Sequence, residues 1–159
     1  MDENKSEAFM RAAIELAVEN VQAGRGGPFA ALVVRAGRLV ARGTNTVTSA
    51  CDPTAHAEIN AIRSACRELQ RFQLSDCDIY TTCEPCPMCL GALYWARPRR
   101  VYYAATRDDA AAVGFDDAFI YDELRCAPEM RQLAMEQLLR EEALGSFRAW
   151  KAKHDRVEY

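Results

Sequence analysis

Two short stretches constrain this chain more than anything else in it: "PTAHAEI", residues 53–59, and "PCPMC", residues 85–89. His56 offers an imidazole nitrogen, and Cys86 and Cys89 offer two thiolates at the spacing with which a turn opening a helix brings two sulfurs to one tetrahedral ion. A fold that uses all three must bring residue 56 and residues 86–89 to a common point. Three protein ligands leave a fourth position for water, which is the coordination of a catalytic zinc rather than of a closed structural site. Zinc lowers the pKa of bound water to roughly 7, yet the reaction still needs a group to carry the proton. Glu58, two residues beyond His56 and in the first turn of the same helix, is the candidate.

Each half alone has plainer readings. A lone CxxC serves as a redox dithiol or half of a structural zinc site, and a lone His serves as a cap or a core residue. Cys83 could supply a fourth, structural ligand, but free cysteines commonly act as small buried hydrophobes, the expectation here for Cys51, Cys66, Cys77 and Cys126 as well. Together, an HxE followed by a PCxxC is the pattern of zinc-dependent base deaminases.

The surrounding pattern places these motifs on an α/β frame. Residues 7–23 repeat Phe9, Ala13, Leu16, Ala17 and Val21 at helical spacing. "GRGGPF" breaks that helix, and residues 29–34 and 39–45 read as a hairpin around "RAG". A loop of small polar residues leads to a helix over residues 54–69, then a strand over 75–82, a helix opened by Pro87 and running to Ala96, and a strand over 100–105. Strands 1 and 2 are then antiparallel, and strands 3 and 4, joined by a crossover helix, are parallel. Sites on such sheets gather at the carboxyl ends of parallel strands, where "TTCEPC" falls. Residues 107–124 read as an acidic loop with short helical pieces, and residues 128–143 and 146–159 read as helices. No linker or repeat divides the chain, so residues 1–159 are expected to form one domain.

A formal charge of −3 argues against a broad field that gathers nucleic acid. No run of 18 apolar residues suggests a membrane span, and the polar first twelve residues do not read as a signal peptide. Seven cysteines, an odd number in a chain of this size, argue against a disulfide framework and for a cytoplasmic protein. Among further candidates, Asn45 is a turn residue or a donor and acceptor for a heteroaromatic ring. Phe29 and Trp95 are core aromatics or the walls of a slot for a flat base. Asp117, in "FDD", is a loop carboxylate by default, Glu84 is expected to accept backbone N–H bonds and fix its turn, and the arginines at 97, 99 and 100 read as wetted surface.

"PTAHAEINAIRSAC" and "TTCEPCPMCLGALYWARPRRVYYAA" resemble the cytidine deaminase-like superfamily. "GGPFAALVV", "GTNTVTSACDPTAHAE", "DDAAAVGFDDAFIY" and "FRAWKAKHDRVEY" resemble, within it, the small bacterial guanine deaminases. The resemblance implies a three-layer α-β-α sandwich with a mixed, five-stranded sheet, one Zn2+ per chain held by His56, Cys86 and Cys89, and Glu58 as proton shuttle. It implies that Asn45 and Asp117 hydrogen-bond a purine base, that Phe29 and Trp95 pack against it, and that Tyr159 closes the pocket of a second subunit through a swapped segment, residues 145–159, of a homodimer. The implied reaction is hydrolysis of guanine to xanthine and ammonia. The place of the family's fifth strand is "LAMEQLLRE", residues 133–141, whose composition argues for helix instead. Other readings are a transfer-RNA adenosine deaminase, which needs a phosphate-binding surface, and a cytosine or nucleoside deaminase. A zinc-stabilised binding protein is a reading outside the enzymes, against which Glu58 stands because a structural ion needs no proton carrier.

Overall fold

A computed structural model describes residues 3–159, which fall into two compact units divided after Asp117. In the first, α1 (Glu3–Gln22) carries the expected stripe over most of its length: Ala13 and Ala17 are buried, and Phe9, Met10 and Leu16 pack on the same side, but Val21, expected in the stripe, is exposed. The helix ends at Gly24, whose positive φ of 64° is a conformation glycine adopts without steric cost. Strands β1 (Ala30–Arg35) and β2 (Arg38–Thr44) form the antiparallel hairpin, turning through Ala36 and Gly37, both at positive φ.

A short helix, α2 (Val47–Ala50), interrupts the segment read as a loop. Then come α3 (Ala57–Leu69), β3 (Cys77–Cys83), α4 (Pro87–Ala96), β4 (Arg100–Ala105) and α5 (Arg107–Ala111). The sheet order is β2-β1-β3-β4, with β1 antiparallel to both neighbours and β3 parallel to β4. Among the described residues the sheet has four strands, which corrects the expected five.

Alternation along the strands builds a core on each face. Leu32, Val34 and Tyr80 meet α1 on one side. Ala31, Val33, Ala41, Cys77 and Ile79 meet Ala57, Ala61 and Ala65 of α3 and Leu93 and Ala96 of α4 on the other. The small residues on α3 let it approach closely: a β-carbon on Gly43 of β2 would overlap the Ala57 carbonyl oxygen and the Ala61 amide nitrogen. At the far end of β3 from the cysteine motif, Asp78 is buried and takes two hydrogen bonds from Arg99, at 2.9 and 2.6 Å, while Asp76 pairs with Arg71 and Arg35.

The second unit holds α6 (Ala118–Arg125), a 3-10 turn (Pro128–Met130) and α7 (Arg140–Ala152), and none of them buries a residue. The helix expected over residues 128–143 is not formed: residues 131–139 carry neither helix nor strand, and the helix expected over 146–159 is replaced by α7, which starts earlier and stops at Ala152. Residues 132–139 are exposed throughout, so no apolar face is buried to supply the packing that a short helix of good propensity needs. Among the described residues no helix is long and apolar enough to cross a membrane.

Candidate metal and catalytic site

The two motifs converge because each occupies the N-terminus of a helix on the same face of the sheet. His56 is the N-cap of α3 and Cys86 the N-cap of α4, with Pro87 following as a residue suited to a first turn. Neither cap spends its side chain on the helix's own amides, as a Ser, Thr, Asn or Asp cap does, so both are available to a ligand. The α4 turn then brings in Cys89, which is fully buried. Two helix N-termini favour the negative charge that gathers here.

His56 Nδ1 lies 3.6 Å from Cys86 Sγ and 3.6 Å from Cys89 Sγ, and the three ligand atoms all lie within 4.8 Å of one another. Tetrahedral zinc with ordinary bond lengths holds nitrogen and sulfur ligands about 3.5 Å apart, so the cluster fits the ion as it stands. A hydrogen bond from Cys89 draws the Cys86 thiol down to about 4, while that pairing and burial push Cys89 up. The Cys86 contact also raises His56 above its ordinary value. Cys83 does not join this cluster. Its Sγ donates to the Thr106 carbonyl at 3.4 Å, and burial lifts its thiol to about 11, as fits an inert thiol.

Glu58, 6% exposed, stands beside the three. Its Oε1 accepts the Thr81 hydroxyl at 3.1 Å and its Oε2 lies 3.4 Å from Cys89 Sγ. Burial raises its pKa, narrowing the gap between its charged and neutral forms as proton transfer requires.

A cavity of about 570 Å³ opens in front of these groups, lined by His56, Glu58 and Cys86 together with Phe29, Asn45 and Asp117. Phe29 meets Phe115 edge to face, ring centroids 4.9 Å apart, to form an apolar wall. Asn45 Oδ1 accepts the N–H groups of Gly27 and Val47, each at 3.3 Å, which identifies the oxygen end of the amide and leaves Nδ2 as the end open to a ligand's acceptor. Asn20 clamps the same rim, donating to the Gly27 and Asn45 carbonyls at 3.0 and 2.9 Å. Burial raises the Asp117 carboxyl, with the Cys86 charge adding to it. Glu84 does accept a backbone N–H, but that of Arg107 at 3.2 Å, so it ties the cysteine loop to the wall bearing Phe115 and Asp117 rather than fixing its own turn.

Two sequence candidates stand elsewhere. Trp95 is 65% exposed on α4 and is not among the lining residues, and Tyr159, 71% exposed, is the last residue of the second unit. Thr81 and Phe115 carry geometry that sequence reasoning missed. "FDD" drew attention to the carboxylates rather than to the ring beside them, and nothing local distinguishes Thr81 from Thr82.

Residues 3–105 match the profile of the cytidine and deoxycytidylate deaminase zinc-binding region. Guanine deaminase of Bacillus subtilis (strain 168) is 52% identical over 153 residues, 96% of this chain and 98% of that protein. The X-ray structure of guanine deaminase from Bacillus subtilis superposes with a TM-score of 0.95 at 51% identity, covering 100% of this chain and 99% of that one. A structure of guanine deaminase from Nitrosomonas europaea gives a TM-score of 0.67 at 42% identity over 70% of this chain and 64% of that one.

Proposed function

This chain belongs to the cytidine and deoxycytidylate deaminase zinc-binding family, and from that membership we propose that it deaminates guanine by hydrolysis, giving xanthine and ammonia. The observation that carries the choice of base is the polarity of the cavity. Asn45 is fixed with its donor end open and Asp117 supplies an acceptor, both on the rim of the cavity that holds Glu58. Guanine offers a carbonyl oxygen to the first and N–H groups to the second. Adenine presents an amino group where guanine has the carbonyl, and so sets a donor against a donor.

His56, Cys86 and Cys89 would hold the zinc ion, which would supply a water of lowered pKa for the attack. The remaining work falls to the chain's own groups. Glu58 takes the water proton and delivers it to ring N3 as oxygen adds at C2; it then takes the proton of the added hydroxyl and passes it to the amino nitrogen, so that C2=O forms as the C2–N bond breaks and ammonia leaves. Phe29 and Phe115 give the flat ring an apolar wall and keep bulk water from the reacting carbon.

We assign the assembly as a homodimer on a three-layer α-β-α frame, with residues 145–159 crossing to the second copy so that Tyr159 covers the partner's purine and Trp95 packs beside it. Support comes from large apolar side chains that stand exposed to solvent. Phe119, Leu133, Leu138, Phe147 and Trp150 of the second unit are exposed, as are Tyr94 and Trp95 on α4. Seven cysteines without a disulfide suit the reducing cytoplasm.

The deciding experiment is ammonia release by the zinc-loaded protein from guanine, adenine, cytosine, their nucleosides and a transfer RNA, side by side. Guanine is expected to turn over fastest. Preference for cytosine, or for adenosine within the transfer RNA, would overturn the assignment.

A further inference from the structure

On β3, Cys77, Ile79, Thr81 and Cys83 alternate onto the face that meets α3 and α4. The row is apolar or sulfur-bearing except at Thr81, which is 1% exposed. A hydroxyl in such a place needs a partner, and the partner is Glu58 Oε1 at 3.1 Å. The other side chain donating to that carboxylate among the described residues is Cys89, through its thiol proton. The Thr81 hydroxyl reaches Glu58 from the strand, outside the ligand cluster to which Cys89 belongs.

We infer that Thr81 is a positioning residue for the proton carrier: it holds Oε1 of Glu58 against β3 and thereby keeps Oε2 turned to the ligand cluster, where the proton must be collected and released. Strand β3 gives this anchor stiffness, since Thr81 pairs with Ala31 of β1 on one side and Tyr103 of β4 on the other. The side chain touches neither substrate nor metal in this role; it acts through Glu58. The inference rests on the deaminase reading but not on which base is used.

The test compares Thr81→Val, which keeps the shape of the side chain and removes the hydroxyl, with Thr81→Ser, which keeps the hydroxyl. Each is assayed on whichever base of the panel the unaltered enzyme deaminates fastest, so that failure of guanine alone touches the substrate assignment and not Thr81. Thr81→Val is expected to lower kcat about ten- to a hundredfold, the cost of a slightly misplaced catalytic group. KM, zinc per chain and the urea unfolding midpoint are expected to stay near those of the parent, and Thr81→Ser is expected to recover most of kcat. The inference fails if Thr81→Val turns over at the parent rate, if its loss tracks lost zinc or lost stability, or if Thr81→Ser does not recover. Absence of turnover with every base would remove Thr81's role together with the enzyme reading.

Discussion

Gly43 of β2 and Ala57 of α3 touch backbone to backbone, with no room for a side chain between them. This contact sets the height of the first turn of α3 above the sheet, and that turn carries His56 and Glu58. Gly43→Ala is therefore expected to lift the turn, to cost about 1–3 kcal/mol of stability as overpacking does, and to weaken zinc binding. Urea unfolding and a competitive chelator titration would check both. Unchanged zinc affinity would show that the site rides on other contacts.

Glu58→Gln keeps the size of the side chain and an acceptor for Thr81 but removes the exchangeable proton. Turnover is expected to fall by at least about 10²-fold while zinc remains at one per chain. Cys86→Ala is expected to behave oppositely, losing the metal first and activity as a consequence. Metal analysis alongside kcat separates the two classes of variant.

The ion pairs at the other end of β3 make a prediction about acid. Arg71, aided by Arg35, holds the Asp76 carboxyl well below its ordinary value of 3.8. A carboxylate with a depressed folded-state pKa contributes stability that is fully present above its unfolded pKa and is lost as pH falls through the acid range below it. In zinc-free protein, Asp76→Asn is expected to have a lower unfolding midpoint than the parent at pH 7, with the gap closing below about pH 4. A gap that stays constant into acid would mean that the pairs contribute nothing, as exposed pairs sometimes do.

The proposed crossing of the tail is open to a mixing experiment. A chain lacking residues 156–159 is expected to bind zinc normally but to deaminate guanine poorly. Mixed with full-length Glu58→Gln under conditions of subunit exchange, it is expected to regain activity, because one heterodimer site then combines an intact Glu58 with a donated Tyr159. No recovery despite demonstrated exchange would place Tyr159's action within its own chain or remove it.

The parts of this molecule that the sequence discloses are those whose causes are local. Helical spacing marked α1 and α3, Pro87 marked the start of α4, and the motif spacing marked His56, Cys86 and Cys89, which the structure brings within ligand distance. Of residues 133–141, those up to 139 went the other way, and only Arg140 and Glu141 are helical, as the start of α7. The segment's Leu, Met, Glu and Gln content favours helix, but propensity is a weak term, and where no face is buried it does not suffice. Thr81 and Phe115 were invisible for a third reason. Their roles arise from distances to Glu58 and Phe29, 23 and 86 residues away in the chain (81 − 58 and 115 − 29), which no window of sequence contains.

The pairing of Ala31 with Thr81 across β1 and β3 bears on the order of events as the chain folds. His56 opens α3, which packs on β1 and β2, and Cys86 and Cys89 open α4 after β3, so the frame that holds all three ligands is complete only with a β1–β3 pairing that spans fifty positions (81 − 31). Contacts of such long separation form late, because the entropy of closing the loop must be met before they give anything back. The complete three-ligand set is therefore expected only once the framework is assembled. Zinc then acts as a bolt slid home in a finished door rather than as the hinge on which the door is hung, and a nascent chain can reach its shape without waiting for the ion.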